Sequence, residues 1–99
     1  MFNFSQKGDS SPLDNNFFSG GDGSTEQNAV IIKATSSSTG VPAEYTFMQA
    51  KFGRRGIDWK LERQTLSENN SKRYDIMLIK LSNGSTKEIY FDITRFFGK

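Results

Sequence analysis

The 99-residue sequence contains no histidine and no cysteine. Their absence excludes Ser-His-Asp and Cys-His catalysis, disulfides, and the imidazole and thiolate ligands of ordinary zinc sites. Carboxylates, Lys, Tyr, Ser and Thr remain, so a hard-cation site built from oxygens is the one kind of metal site still open. Because no motif arranges these groups for chemistry, we expect a non-enzymatic protein without a cofactor or metal centre.

Long apolar runs are also missing. The longest strongly apolar run is Ala-Val-Ile-Ile at residues 29–32, far short of the roughly 20 residues that a membrane-spanning helix needs. The first residues, Met-Phe-Asn-Phe-Ser-Gln-Lys, show no apolar region of a signal peptide. We therefore expect a cytoplasmic protein with no membrane span.

Charge is distributed unevenly along the chain. Residues 1–28 carry one Lys against four acidic residues, a net charge of −3, whereas residues 29–99 carry twelve basic against seven acidic residues, a net charge of +5. The first segment is also rich in Gly, Ser and Asn, which favour turns or disorder. The sequence thus predicts a flexible acidic tail over residues 1–28 and a single small domain over residues 29–99.

One helix is predicted within this domain. The apolar positions Val41, Tyr45, Met48 and Phe52 recur at the spacing of one helical face. Pro42 suits the first helical position, Glu44 would then lie in the first turn, and a glycine follows the last turn. We expect the helix to span residues 42–52.

The remaining segments alternate in the manner of strands. Residues 29–35 are rich in β-branched side chains, and three further strands are predicted near residues 57–66, 73–81 and 87–94. The order β-α-β-β-β predicts an α+β fold, with one helix packed on one face of a mostly antiparallel sheet. The first strand should lie parallel to a neighbour, at a position that the pattern leaves open.

Two turns set the predicted strand registers. Asn83-Gly84 is a strong two-residue type I′ signal, and Asn69-Asn70 serves as the centre of the preceding turn. These turns place the following apolar residues together on the helix-covered face: Trp59, Leu61, Tyr74, Ile76, Leu78, Ile89, Phe91 and Ile93.

The same registers assign a partly apolar set to the opposite face. Met77, Ile79 and Tyr90 are too hydrophobic for a solvated surface and indicate a partner-binding site. Phe17 and Phe18 in the tail either dock on the domain or join that site. Docking of this stretch or formation of a homodimer is the alternative explanation for the apolar face.

Asp75 and Asp92 are opposed in the predicted register, where like charges repel. Such a pair could hold a divalent cation or share a proton, and with Tyr90 it is the only candidate for catalysis that we considered. The alternative, which we favour, is that a neighbouring Lys or Arg neutralises the pair.

Lys51, Arg54 and Arg55 form the densest basic group. They are candidate ligands for phosphate or nucleic acid. The alternative is that cations at the end of a helix complement its dipole, and phosphate prefers the opposite end.

Two segments carry a resemblance to known sequences. Gly-Gly-Asp-Gly-Ser at residues 20–24, followed by the apolar run at 29–32, and the ending Tyr-Phe-Asp-Ile-Thr-Arg-Phe-Phe-Gly-Lys at 90–99 are similar to those of a family of short uncharacterised bacterial proteins. The resemblance implies a bacterial source and a small α+β domain, and it implies no activity and no catalytic residues.

Taken together, these patterns predict a small interaction module that binds an unknown protein partner, or itself, through its open sheet face, an exposed strand edge or its Phe-bearing tail. The alternative function is binding of nucleic acid or another polyanion by the basic domain.

Overall fold

The computed structural model describes residues 17–99. Within them one helix packs against one face of a mostly antiparallel, open, five-stranded sheet, which confirms the predicted α+β class. The elements are β1 (Phe18–Gly20), β2 (Val30–Ile32), α1 (Ser37–Phe52), β3 (Trp59–Asn69), β4 (Lys72–Leu81) and β5 (Thr86–Asp92). The strands lie in the order β1-β2-β5-β4-β3.

Residues 18–20 form an edge strand of this sheet, and the loop up to residue 28 is bonded to it. Strand β1 pairs antiparallel with β2, with Phe18 opposite Ile32. In the loop that follows, the Gly23 carbonyl accepts a hydrogen bond of 2.8 Å from the Tyr90 amide on β5. The expectation of a flexible tail is therefore wrong for these residues, and the folded unit begins before the predicted boundary at Asn28. Residues 1–16 of that tail lie outside the described residues.

Strand β2 lies inside the sheet and runs parallel to β5, with Val30 opposite Phe91. The predicted parallel placement is confirmed, and its position, between β1 and β5, is now defined. Val30 and Ile32 are 1% and 0% exposed. Their complete burial agrees with the β-branched composition from which the strand was predicted.

The β4–β5 turn differs from the prediction. Gly84 donates a backbone hydrogen bond of 2.9 Å to Leu81, Leu81 donates one of 2.8 Å to Ser85, and Gly84 has φ 90°. Three residues, Ser82 to Gly84, thus form the loop, and the glycine supplies the positive φ that a three-residue hairpin requires. The predicted type I′ turn at Asn83-Gly84 is wrong by one residue.

This extra loop residue exchanges the two faces of β4. Met77 pairs with Ile89, and Asp75 pairs with Phe91, so these residues, together with Ile79, face the helix. Tyr74, Ile76 and Leu78, which were predicted in the core, point the other way. A shift of one residue reverses every side chain of a strand because the side-chain period is two.

Strands β3 and β4 are joined by a two-residue turn at Asn70 and Ser71, whose φ angles of 54° and 66° are those of type I′. The predicted centre was one residue too early. An irregularity between Leu61 and Arg63 shifts the register once more. It keeps Trp59 and Leu61 on the helix-covered face, as predicted.

Helix α1 begins five residues earlier than predicted, at Ser37, and ends at Phe52 as expected. Its buried residues recur at the spacing of one face: Gly40, Ala43, Glu44, Phe47 and Met48. Val41, which was predicted on the inner face, is 44% exposed. The buried stripe contains a glycine and a glutamate, so the spacing of apolar residues alone does not identify it.

Aromatic rings fill much of the space between helix and sheet. The ring centroids of Phe47 and Phe91 lie 5.6 Å apart in an edge-to-face arrangement, and Phe18 lies 5.9 Å from Phe47. Phe96 is 3% exposed and closes one end of the core. The phenylalanines of this chain therefore contribute to the core from β1, α1, β5 and the C-terminal turn.

Candidate functional site

The sheet has an open face, which we define by the residues that point away from α1. No helix or strand formed by residues 17–99 covers it, but the β1–β2 loop reaches over one end, where Glu26 accepts a hydrogen bond from Asn69 and where Tyr74 and Asp92 are each 7% exposed. From the β2 side to the β3 side, the principal side chains of the open face are Ile31, Asp92, Tyr74, Tyr90, Ile76, Glu88, Leu78, Arg63, Lys80 and Lys60.

The structure separates the predicted partner-binding residues. Tyr90 is half-buried on the open face, as predicted. Met77 and Ile79 are both 0% exposed beneath the helix, so their predicted placement on the open face is wrong. Phe18 is 7% exposed and belongs to the core, whereas Phe17 is 50% exposed. Of the five residues, Tyr90 and Phe17 remain accessible to a partner.

Apolar side chains that the sequence assigned to the core take the place of Met77 and Ile79. Ile76 lies opposite Tyr90 on the neighbouring strand, and Leu78 follows two residues later on the same face. Ile31, Ile76 and Leu78 are half-buried, like Tyr90. The open face therefore has an apolar centre, although most of the side chains that form it differ from the predicted set.

A basic corner, formed by Lys60, Arg63 and Lys80, lies at the β3 side of this face. Lys60 is directly opposite Lys80, and all three side chains are exposed. Among residues 17–99, no carboxylate forms an ion pair with any of them. Since like charges opposed across a ladder repel, this corner favours contact with an anion.

A depression of about 330 Å³ adjoins the basic corner. The two opposed lysines line it together with the β4–β5 loop and the exposed side chain of Ile57. An acidic group placed there would meet two ammonium groups, so the depression extends the basic corner beyond the flat sheet surface.

The predicted anion ligands on and after the helix make separate contacts. Lys51 Nζ donates to the Asp22 carbonyl at 3.4 Å and lies 5.7 Å from the centre of the Phe47 ring. The Arg55 guanidinium lies 4.8 Å from the centre of the Tyr45 ring. Cations held over aromatic rings gain attraction from the ring quadrupole. These contacts give both side chains a structural role.

Arg54 lies in a loop whose backbone groups form hydrogen bonds with side chains that follow it. Its amide donates to Asp58 Oδ2 at 2.7 Å, and the Trp59 indole donates to the Gly53 carbonyl at 2.8 Å. Gly53 has φ 101° and leaves no room for a side chain beside the Asp58 carboxylate. The loop therefore ends the helix and positions Trp59, which is the structural alternative we considered for this basic group.

The expected pairing of Asp75 with Asp92 is wrong, because the two carboxylates lie on opposite faces of the sheet. Asp92 accepts hydrogen bonds from the Thr94 amide at 3.0 Å and from its hydroxyl at 2.6 Å, and it lies 4.0 Å from Lys72 Nζ. Asp75 instead points towards the helix and accepts a hydrogen bond of 2.7 Å from Gln64.

The structure brings Asp75 together with a different acid. Glu44 of α1 and Asp75 of β4 are 1% and 3% exposed, and we call them the carboxyl pair. Glu44 Oε1 and Asp75 Oδ1 have no hydrogen-bond partner among the described residues. Burial, followed by the proximity and negative charge of Asp75, raises the pKa of Glu44 to about 10. Glu44 therefore holds a proton at neutral pH.

Sequence reasoning missed the carboxyl pair, since it placed Glu44 in the first helical turn and Asp75 on the open face. Glu44 lies three and four residues before Phe47 and Met48, so any helix that includes these residues places it on their buried face. The helical spacing therefore indicated burial of Glu44, whereas the charge of a glutamate indicates an exposed position.

Within residues 17–99 no group of three or more acidic side chains converges as a metal site. No helix in this part of the chain is long and apolar enough to cross a membrane. The chain matches no protein-family model, and comparisons with curated proteins and with solved structures give no significant match.

Proposed function

We propose that this protein is a small non-enzymatic interaction module that binds a protein partner through its open face. The observation that carries the proposal is the apolar centre formed by Ile31, Ile76, Leu78 and Tyr90, on a face that no described helix or strand covers. Apolar surface of this kind, rimmed by polar groups, is typical of protein-binding sites.

The charge at the β3 side of this centre favours a partner with acidic groups there, whereas Glu88 lies opposite Leu78 on the other side. The basic corner of Lys60, Arg63 and Lys80 lies beside Leu78 and has no acidic partner among the described residues. An acidic segment with apolar side chains fits both features, because complementary charge aligns a partner and accelerates its encounter. Phe17, exposed next to β1, adds a second apolar contact outside the sheet face.

A random-peptide selection against the immobilised full-length protein tests this proposal. We expect the enriched peptides to combine Asp or Glu with large apolar residues. Leu78→Asp should weaken their binding by at least about tenfold, because it places a charge in the apolar centre. Lys60→Glu should weaken binding of the acidic peptides as well.

Val41→Asp is the matched control, because Val41 is exposed on the outer side of the helix. Circular dichroism confirms that each variant is folded. Selected peptides that bind Leu78→Asp and the wild-type protein equally well would exclude the open face as the binding site.

A second candidate function, binding of a polyanion, is favoured by the opposed pair Lys60 and Lys80. We expect a heparin oligosaccharide or single-stranded oligonucleotide to bind with an affinity that falls steeply as salt is raised, because binding releases counterions. Lys60→Glu combined with Lys80→Glu should abolish this binding.

The control for that experiment is Arg54→Glu combined with Arg55→Glu, which changes the charge by the same amount on the loop after the helix. Equal losses of affinity for the polyanion in the two double variants would indicate attraction to net charge. That result would contradict a site at the basic corner.

A further inference from the structure

Strand β3 forms one edge of the sheet. It is 11 residues long, pairs with β4 on one side, and is the last strand in the sheet order of the described residues. Asn69 flanks the two-residue turn, so its backbone amide and carbonyl bond to β4. Along a strand, successive residues direct these groups alternately to one side and to the other. Gln64, Leu66 and Glu68 consequently direct their backbone groups towards the free edge.

The two halves of this edge differ in how well they are protected against pairing with a strand of another molecule. The first half carries Lys60, Glu62 and Arg63 and contains the irregularity in register. Charged side chains and bulges are the usual means by which proteins prevent edge strands from associating. Residues 64–67, Gln-Thr-Leu-Ser, carry no charge and pair regularly with β4. The second half of the edge is therefore competent to accept another strand.

An apolar patch adjoins this unprotected half. Leu66 is 61% exposed on the helix-facing side of the sheet, at a point that α1 does not cover. Phe97, 36% exposed, lines the same depression of about 120 Å³. Two of the large exposed hydrophobic residues of the described chain thus line one depression beside the free edge, where the Arg73 guanidinium lies 4.7 Å from the centre of the Phe97 ring.

The sequence of β3 is self-complementary about one of these residues. A two-fold axis perpendicular to a sheet preserves the faces, so each residue must pair with one from the same face of the other copy. Centring the axis on Leu66 pairs Leu66 with itself, Thr65 with Ser67, and Gln64 with Glu68. No like charges meet in this register. Centring the axis on Thr65 instead brings Glu62 towards Glu68.

We propose that a second copy of this chain pairs antiparallel along β3, with the two-fold axis at Leu66. The result is a continuous sheet through both copies, with both helices on the same side and the Leu66 side chains buried against each other. The open face takes no part in this contact, so the dimer and the proposed partner are independent of one another.

Sedimentation of the full-length protein over a concentration series tests the dimer. We expect the mass to rise from that of the 11.2 kDa monomer to twice that value. Leu66→Lys should weaken the dimer by at least about tenfold, because it places two ammonium groups opposite each other. Ile57→Lys is the matched control, since Ile57 is also 61% exposed but precedes β3 and lies nine residues from Leu66.

Engineered cysteines test the register, because the native chain has none. Across a hydrogen-bonded antiparallel pair the Cα atoms lie about 5.5 Å apart, within the range of a disulfide. Leu66→Cys should therefore form a cross-linked dimer quickly under mild oxidation, and Ile57→Cys should not.

A wild-type protein that remains monomeric at several hundred micromolar, or a Leu66→Lys variant that dimerises normally, would overturn the proposal. Faster cross-linking of Thr65→Cys than of Leu66→Cys would overturn the register.

Discussion

Glu44 is a carboxylic acid in a core that is otherwise almost wholly apolar. Its neighbour Asp75 accepts a hydrogen bond from Gln64 of β3, and the carboxyl pair is buried where α1 packs against β4. The proton on Glu44 makes this possible, because two buried carboxylates would repel each other in a medium of low dielectric constant. The contribution of Glu44 to stability therefore depends on its protonation.

The protonation of Glu44 predicts how stability depends on pH. Its pKa is raised from 4.5 to about 10 in the folded protein. The folded state therefore binds a proton that the unfolded chain releases above its own pKa of 4.5. The stabilisation is complete below pH 4.5 and is lost as the pH rises towards 10.

Replacing Glu44 by Gln should remove this loss. Glutamine resembles the protonated acid in shape and donates a hydrogen bond, so Glu44→Gln should raise the free energy of unfolding at pH 8 by up to roughly 5 kcal/mol and change it little at pH 4. Urea denaturation at both pH values measures the difference. The exposed variant Glu62→Gln serves as the control, and an unchanged pH dependence in Glu44→Gln would contradict the assignment.

At the scale of elements, the turn at residues 82–84 determines which face of β4 is buried. Tyr74, Ile76 and Leu78 are apolar on one face, and Met77 and Ile79 are apolar on the other. Alternation therefore does not distinguish the two faces, and the turn alone sets the register. Asn-Gly is compatible with a two-residue or a three-residue loop, so the sequence could not decide between them.

The backbone of Gly84 gives a direct test of that loop. It has φ 90°, and a Cβ atom placed on it would contact nothing within 4 Å. Gly84→Ala should therefore destabilise the protein by about 1 kcal/mol through backbone strain alone. Thermal unfolding compared with Ser82→Ala measures this cost. Equal stability of the two variants would indicate that position 84 can adopt a negative φ.

The elements themselves were easier to predict than their faces. Strand β2, the end of α1 and the existence of the three later strands follow from composition, periodicity and the glycine at position 53. The beginning of α1 does not, because Ser37 to Thr39 have modest helix propensity and Pro42 signals a first turn. In the structure Pro42 lies inside the helix, one turn beyond its start.

The candidate site was predicted in kind but not in its members. An apolar open face and a basic group were expected, but of Met77, Ile79 and Tyr90 only Tyr90 lies on the face where it was placed, and the buried carboxyl pair was not expected at all. The reason is physical: polarity describes individual residues, whereas burial of Glu44 and Asp75 depends on the register and helix rotation that bring them together.

For the whole molecule, one helix and a five-stranded sheet leave most of one sheet face uncovered among the described residues, with β1 and β3 as the two edge strands. The helix covers the aromatic core, while the apolar centre and basic corner lie on the other side. A chain of this size buries little surface of its own, so a partner that covers the open face adds appreciably to its stability.

The most direct test of the proposed function is to map where a selected acidic peptide binds to the ¹⁵N-labelled full-length protein by NMR. The largest amide shifts should fall on Ile31, Ile76, Leu78 and Tyr90, with smaller shifts at the basic corner. Shifts confined to the exposed side of α1 around Val41, or to the loop containing Arg54, would contradict the account.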